Sequence, residues 1–213
     1  MEVLDIQKPI KKTRKKVPDW LICDTINGVD YYYKGYKQAG FKNGKFNEPM
    51  GASYLQGLIV MYFAGLLELK LDISEYHAIT NEAGIHLEKG NNLSGDILIY
   101  RAVDVVGFDL EKYASKAPFI AIEVDTQIET TEFDESHYVY EKTRKLLEWG
   151  TEKVIWVFSK TETVMIARPN QDWLIRDWKN DVEIIDGISF NIVKQLEKKG
   201  LLKNWQERKK GRR

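Results

Sequence analysis

The hydrophobic pattern changes its period several times along the chain. Trp20 to Asp24 and Val29 to Tyr36 read as strands joined at Asn27-Gly28, a dipeptide suited to a tight hairpin turn. Gly40 to Met50 reads as a loop. Ala52 to Leu69 is apolar nearly all round, which predicts a helix enclosed on most sides. Tyr76 to Thr80 and Ile85 to Lys89 suggest short strands. Ser94 to Arg101 alternates as a strand, with Asp96 at its start after a glycine that permits an unusual backbone. Pro118 to Thr126 stays apolar until Glu123, as a central strand does. An acidic loop over Gln127 to Glu135 leads into a helix from about Ser136, as N-cap, to Trp149, with Gly150 just past its end. Lys153 to Phe158 and Thr163 to Ala167 predict a hairpin. Trp173 to Trp178 and Val182 to Ile185 suggest edge strands, and Phe190 to Lys199 a last helix. This order predicts an α/β or α+β fold, a mixed central sheet flanked by helices.

Composition narrows the class. The chain has 213 residues, 43% hydrophobic and 30% charged, which suits a single domain, expected over residues 19–206. Cys23 is the one cysteine, so no intrachain disulfide can form, as in a reducing compartment. The longest apolar run, Gly57 to Leu67, is 11 residues, too short to span a bilayer. No secretory leader is evident, and a cytosolic protein without membrane partners is expected.

Charge sharpens the picture. Net charge is zero, yet six basic residues crowd Lys8 to Lys16 and five of the last six residues are Lys or Arg. Setting aside these 11, with Glu2 and Asp5, leaves 21 basic and 30 acidic residues, so the body carries about −9. The expected tails, residues 1–18 and 207–213, are either solvated ends or grips for a nucleic-acid backbone.

Three segments put charge where apolar residues would be expected. Glu123 shares a strand face with Phe119, Ala121 and Asp125. Lys142 falls inside the stripe formed by Val139, Thr143, Leu146 and Trp149, whereas Lys145 falls outside it. Asp96 opens the neighbouring strand. Each has an ordinary structural reading: a turn acid, a paired strand-end acid, a lysine extended along its stem. Together, two carboxylates on neighbouring strands and a nearby ammonium form a set suited to a divalent cation and phosphodiester hydrolysis. His77, His86 and His137 lie apart and show no metal-ligand spacing.

At these residues the chain resembles the Uma-type restriction endonuclease family of the PD-(D/E)XK nuclease superfamily. Gly95-Asp96 stands where that family usually has Pro-Asp before a strand. Ile122-Glu123-Val124-Asp125-Thr126 is similar to its Glu-Val-x-Ser, and Lys153-Val154-Ile155-Trp156-Val157 to its later Gly-Val-x-Glu-Tyr-Trp-Ile-Val stretch. The resemblance implies a restriction-endonuclease-like fold. It implies a catalytic set of Asp96, Glu123 and Lys142, the last being the motif lysine moved from strand to helix. It further implies magnesium or manganese held by Asp96 and Glu123, with Asp125 as an added acid, and DNA as substrate. A double-strand cut would call for a homodimer. The alternative is an inactive nucleic-acid- or protein-binding member of the same fold; an unrelated α/β domain is the third reading. If the N-terminal tail grips DNA, deleting Met1 to Lys16 should weaken binding and flatten its salt dependence in fluorescence anisotropy titrations. An unchanged salt slope would leave the tail without that role.

Overall fold

The computed structural model describes residues 17–37, 40–42, 45–47, 52–125, 128–129 and 135–210; the basic N-terminal tail and the last three residues lie outside them. A short 3-10 turn at Asp19–Leu21 leads into β1 (Ile22–Ile26), which pairs with β2 (Val29–Tyr33). Asn27 and Gly28 between them take left-handed angles, φ 52° and 78°, as a two-residue hairpin requires. Where a loop was expected, β3 (Gly40–Lys42) and β4 (Lys45–Asn47) form a small ribbon of their own.

Helix α1 (Tyr54–Lys70) is capped by Ser53, whose hydroxyl accepts from the Gln56 N–H at 3.2 Å. It buries Ile59, Phe63 and Leu67 but exposes Tyr54, Met61 and Leu69. The enclosed helix expected from its composition is therefore covered along one stripe. β5 (Tyr76–Glu88) joins the two short strands expected there into one, by way of an irregularity between Thr80 and Ala83. β6 (Asn91–Arg101) starts three residues earlier than expected, so Asp96 lies mid-strand rather than at a strand start. After α2 (Ala102–Val105), β7 (Ile120–Val124) runs fully buried through the middle of the sheet.

β8 (Ile128–Glu129) and α3 (Glu135–Glu148) follow; Ser136 lies within the first turn of α3 and is not its cap. β9 (Lys153–Phe158) and β10 (Thr163–Ala167) form the expected hairpin. β11 (Leu174–Asp177) adds an edge. β12 (Val182–Ile185) pairs with β13 (Ile188–Phe190) in a separate ribbon. The chain ends in α4 (Ile192–Lys198), capped by Asn191, and α5 (Leu202–Lys210), which takes up residues expected to belong to a tail.

The main sheet runs β11-β10-β9-β7-β6-β1-β2-β8, with β5 also paired to β6. β7 and β9 are parallel and the other pairs antiparallel, giving the mixed sheet flanked by helices that the sequence predicts. A parallel pair needs a crossover, and α3 supplies it. Alternation along the central strands then sorts the core. Ile97, Ile99, Ile120, Ile122 and Ile155 pack against α1, α4 and the β12–β13 ribbon. Leu98, Tyr100, Ala121, Val154 and Trp156 pack against α3. No helix of the described residues is long and apolar enough to cross a membrane.

Gly95 serves packing, not an unusual backbone: it is absent from the positive-φ glycines, and an added Cβ would lie 2.3 Å from Leu98 Cδ2. Leu98 is fully buried and cannot swing clear. Gly95→Ala should thus cost about 1–3 kcal/mol in urea denaturation. Gly57→Ala, where nothing lies within 4 Å, should gain about 0.5–1 kcal/mol of helix propensity. Wild-type stability in Gly95→Ala would contradict this account.

Candidate active site

Glu123 and Asp96 come together through strand register. Ile97 pairs with Ile122 and Leu98 with Ala121, so one further step sets Asp96 opposite Glu123. Directly opposed residues project from the same face with Cβ atoms about 4.5–5.5 Å apart. That face is the one covered by α3. Asp96 Oδ2 accepts from the Val124 N–H at 2.7 Å, and its own carbonyl accepts from Thr80 Oγ1 at 2.7 Å. On its other side, Asn81 and Glu82 both stand against the single residue Asp96, each with positive φ, 76° and 51°. This is a bulge beside the acid pair.

Lys142 reaches this face from α3. It is 2% exposed, and its Nζ lies 3.1 Å from Glu123 Oε1 and 3.1 Å from Asp24 Oδ2. The rings of Tyr138 and Trp156 stand 5.5 and 5.7 Å from it. Lys145 sits at the rim, paired with Glu88 at 3.4 Å and Glu148 at 3.2 Å. The helix stripe thus distinguishes the buried lysine from its neighbour.

Asp24 is the residue that the sequence reading missed. It is fully buried on β1. Oδ1 accepts from Ser94 N at 2.8 Å and Ser94 Oγ at 3.1 Å, and Oδ2 accepts from the Tyr138 hydroxyl at 2.5 Å. A signal was present: Ile22, Asp24 and Ile26 share strand parity, so this acid too lies among apolar residues.

Asp125 departs from the expected set. Its φ of 60° ends the strand alternation, and Oδ1 accepts from Ser159 N at 2.6 Å, turning this acid toward the end of β9. Among the described residues, no three His, Cys, Asp or Glu side chains are grouped so as to hold a metal ion. Asp96, Glu123 and Asp125 therefore make no ready three-acid cage. His86 contacts Asn92 through Nδ1, a surface contact apart from the site.

The electrostatics show a charge imbalance. Burial pushes the Glu123 carboxyl up to about 8; Lys142 opposes this, while Asp96 and Asp24 add to it. Asp96 is raised too, first by burial, with Glu82 and Asp125 adding to it against Val124 N–H and Lys142. Burial works against the Lys142 ammonium, but Asp24 and Glu123 outweigh it and hold the lysine above its usual range. Three buried side-chain oxygens of the described residues lack a hydrogen-bond partner. Two are hydroxyls, of Tyr100 and Thr151; the third is Glu123 Oε1. Its polar neighbour is the Lys142 ammonium, ion-paired with it at 3.1 Å.

Asp96 and Glu123 are hard oxygen donors, the kind magnesium takes, and one or two carboxylates are its usual share of protein ligands.

No family model matches the chain, and no curated protein does either. Among solved structures, it is similar to one from Anabaena variabilis ATCC 29413, described as a candidate nuclease belonging to DUF820. The match has a TM-score of 0.55 and 16% identity, and covers 78% of this chain and 89% of that one. At this identity the likeness establishes a shared fold.

The raised Glu123 carboxyl sets a pH dependence. Between its usual value of 4.5 and about 8, the folded state holds a proton that the unfolded chain has released. The contribution of this carboxyl to the stability of the metal-free protein is therefore greatest below that window and falls as pH rises through it. In EDTA, the unfolding midpoint of wild type should drop on the order of 5 °C more than that of Glu123→Gln between about pH 5 and 8. Parallel curves for the two proteins would contradict the assigned shift.

Proposed function

We propose that this protein is a metal-dependent nuclease that hydrolyses phosphodiester bonds of DNA. In this reading Asp96 and Glu123 hold magnesium or manganese, with Lys142 beside the ion. The observation that carries it is the acid pair of Asp96 and Glu123 on adjoining strands, in a group where three carboxylates face one ammonium. A divalent cation there would offset the negative charge that a single ammonium leaves over. The fold shared with a candidate nuclease supports the reading without establishing chemistry.

When bound, the metal would acidify a water and stabilise the charge of the phosphoryl transition state. The chain's own groups do the rest. Asp96 and Glu123 present their oxygens from neighbouring strands whose spacing the sheet fixes. Lys142 remains charged, because Asp24 and Glu123 favour its ammonium, and it can offset negative charge building up on the phosphate. Asp125, held to Ser159, adds negative potential near Asp96 rather than a firm ligand. The basic tails suit a nucleic-acid backbone, and a second copy of the chain would bring a second site for the opposite strand.

One observation favours the alternative, a nucleic-acid- or protein-binding member of the fold. Lys142 is almost sealed and already engaged by Asp24 and Tyr138, as in a purely structural ion cluster. Calorimetric titration with manganese separates the two. Wild type should bind the ion and nick supercoiled plasmid. Glu123→Ala should lose at least about ten-fold in affinity and all detectable cleavage. Binding that persists unchanged in Glu123→Ala would leave the alternative standing.

A further inference from the structure

We propose that Asp24 is the positioning residue of the site, anchoring Lys142 beside Glu123. The two anions beside Lys142 Nζ lie at the same distance, 3.1 Å, yet they are held very differently. Asp24 is fixed from both sides: Ser94 donates twice to Oδ1, and the Tyr138 hydroxyl donates to Oδ2. Among the described residues, no donor other than Lys142 reaches Glu123 Oε1. Tyr138 lies one helical turn before Lys142, and its hydroxyl oxygen accepts from Nζ at 3.2 Å. Asp24, Tyr138 and Lys142 therefore close a ring of contacts in which every member is at most 3% exposed.

The placement matters because of what each partner carries. Ser94 lies two residues before Asp96 on β6, and Tyr138 and Lys142 share α3. One carboxylate on β1 thus ties the strand bearing Asp96 to the helix bearing the lysine. It sets their separation before any substrate arrives, which is the preorganisation a reacting site needs. Without Asp24, the ammonium loses its firmly held anion, and the tie between β6 and α3 is lost.

The catalytic consequence rests on the nuclease reading; the anchoring does not, and the test separates them. Asp24→Asn keeps an acceptor for Ser94 but puts an amide donor where Tyr138 and Lys142 both need an acceptor. With manganese and a labelled DNA duplex, kcat should fall about 100-fold, as for a displaced reacting group. KM should stay within about three-fold, because substrate contacts are not removed. The second arm uses protein labelled with ¹⁵N-lysine. A slowly exchanging ammonium signal, assigned by its loss in Lys142→Arg, should be present in wild type, persist in Glu123→Gln and vanish in Asp24→Asn. A signal absent from wild type, surviving Asp24→Asn, or lost in Glu123→Gln overturns the proposal, as does an unchanged kcat. If Asp24→Asn does not fold, the Glu123→Gln spectrum decides alone. If wild type cleaves nothing, the nuclease reading falls while the spectra still judge the anchor.

Discussion

Beneath helix α3, one ammonium faces three carboxylates in a space almost closed to water. Asp24 and Glu123 each lie 3.1 Å from Lys142, and Asp96 stands opposite Glu123 on the adjoining strand. Buried charges of one sign cannot persist without compensation. In the protein alone, burial first, and then Asp96 and Asp24, push the Glu123 carboxyl up to about 8 against the pull of Lys142, so that a proton supplies the compensation. A divalent ion is the other way to meet the same demand. The choice between proton and metal links the chain's stability to its proposed chemistry.

Antiparallel pairing of β6 with β7 brings the two acids face to face, and parallel pairing of β7 with β9 requires the α3 crossover that delivers Lys142. Trp156, opposite Glu123 in the parallel register, is itself fixed by donating to Thr143 Oγ1 at 2.8 Å. Gly95 lets Leu98 close over the strand, and the Asn81–Glu82 bulge interrupts β5 beside Asp96. One of the sheet's irregularities thus lies beside the acid pair; others fall between Ile22 and Asp24 on β1 and between Ile85 and Glu88 on β5.

Much of this could be read from residue order. Glu123 was visible as a carboxylate ending an apolar strand, and Lys142 as a cation inside a helical stripe, since both rest on short-range periodicity. The β9–β10 hairpin bounds were legible for the same reason. Asp24 was harder, because its strand is short and carries an irregularity between Ile22 and Asp24, and its partners are 70 and 114 residues away. The continuity of β5 was hidden by two left-handed residues that look like a break. The one-sided burial of α1 follows from tertiary cover, which composition does not encode: an apolar residue such as Met61 is 69% exposed. Asp125 shares Glu123's parity on paper, but its left-handed backbone turns it elsewhere.

The most direct test is anomalous diffraction from crystals soaked in manganese. A peak is expected within coordination distance of both Asp96 and Glu123, with Lys142 still against Asp24. A peak bound elsewhere, or no peak while Lys142 spans the two acids undisturbed, would contradict it.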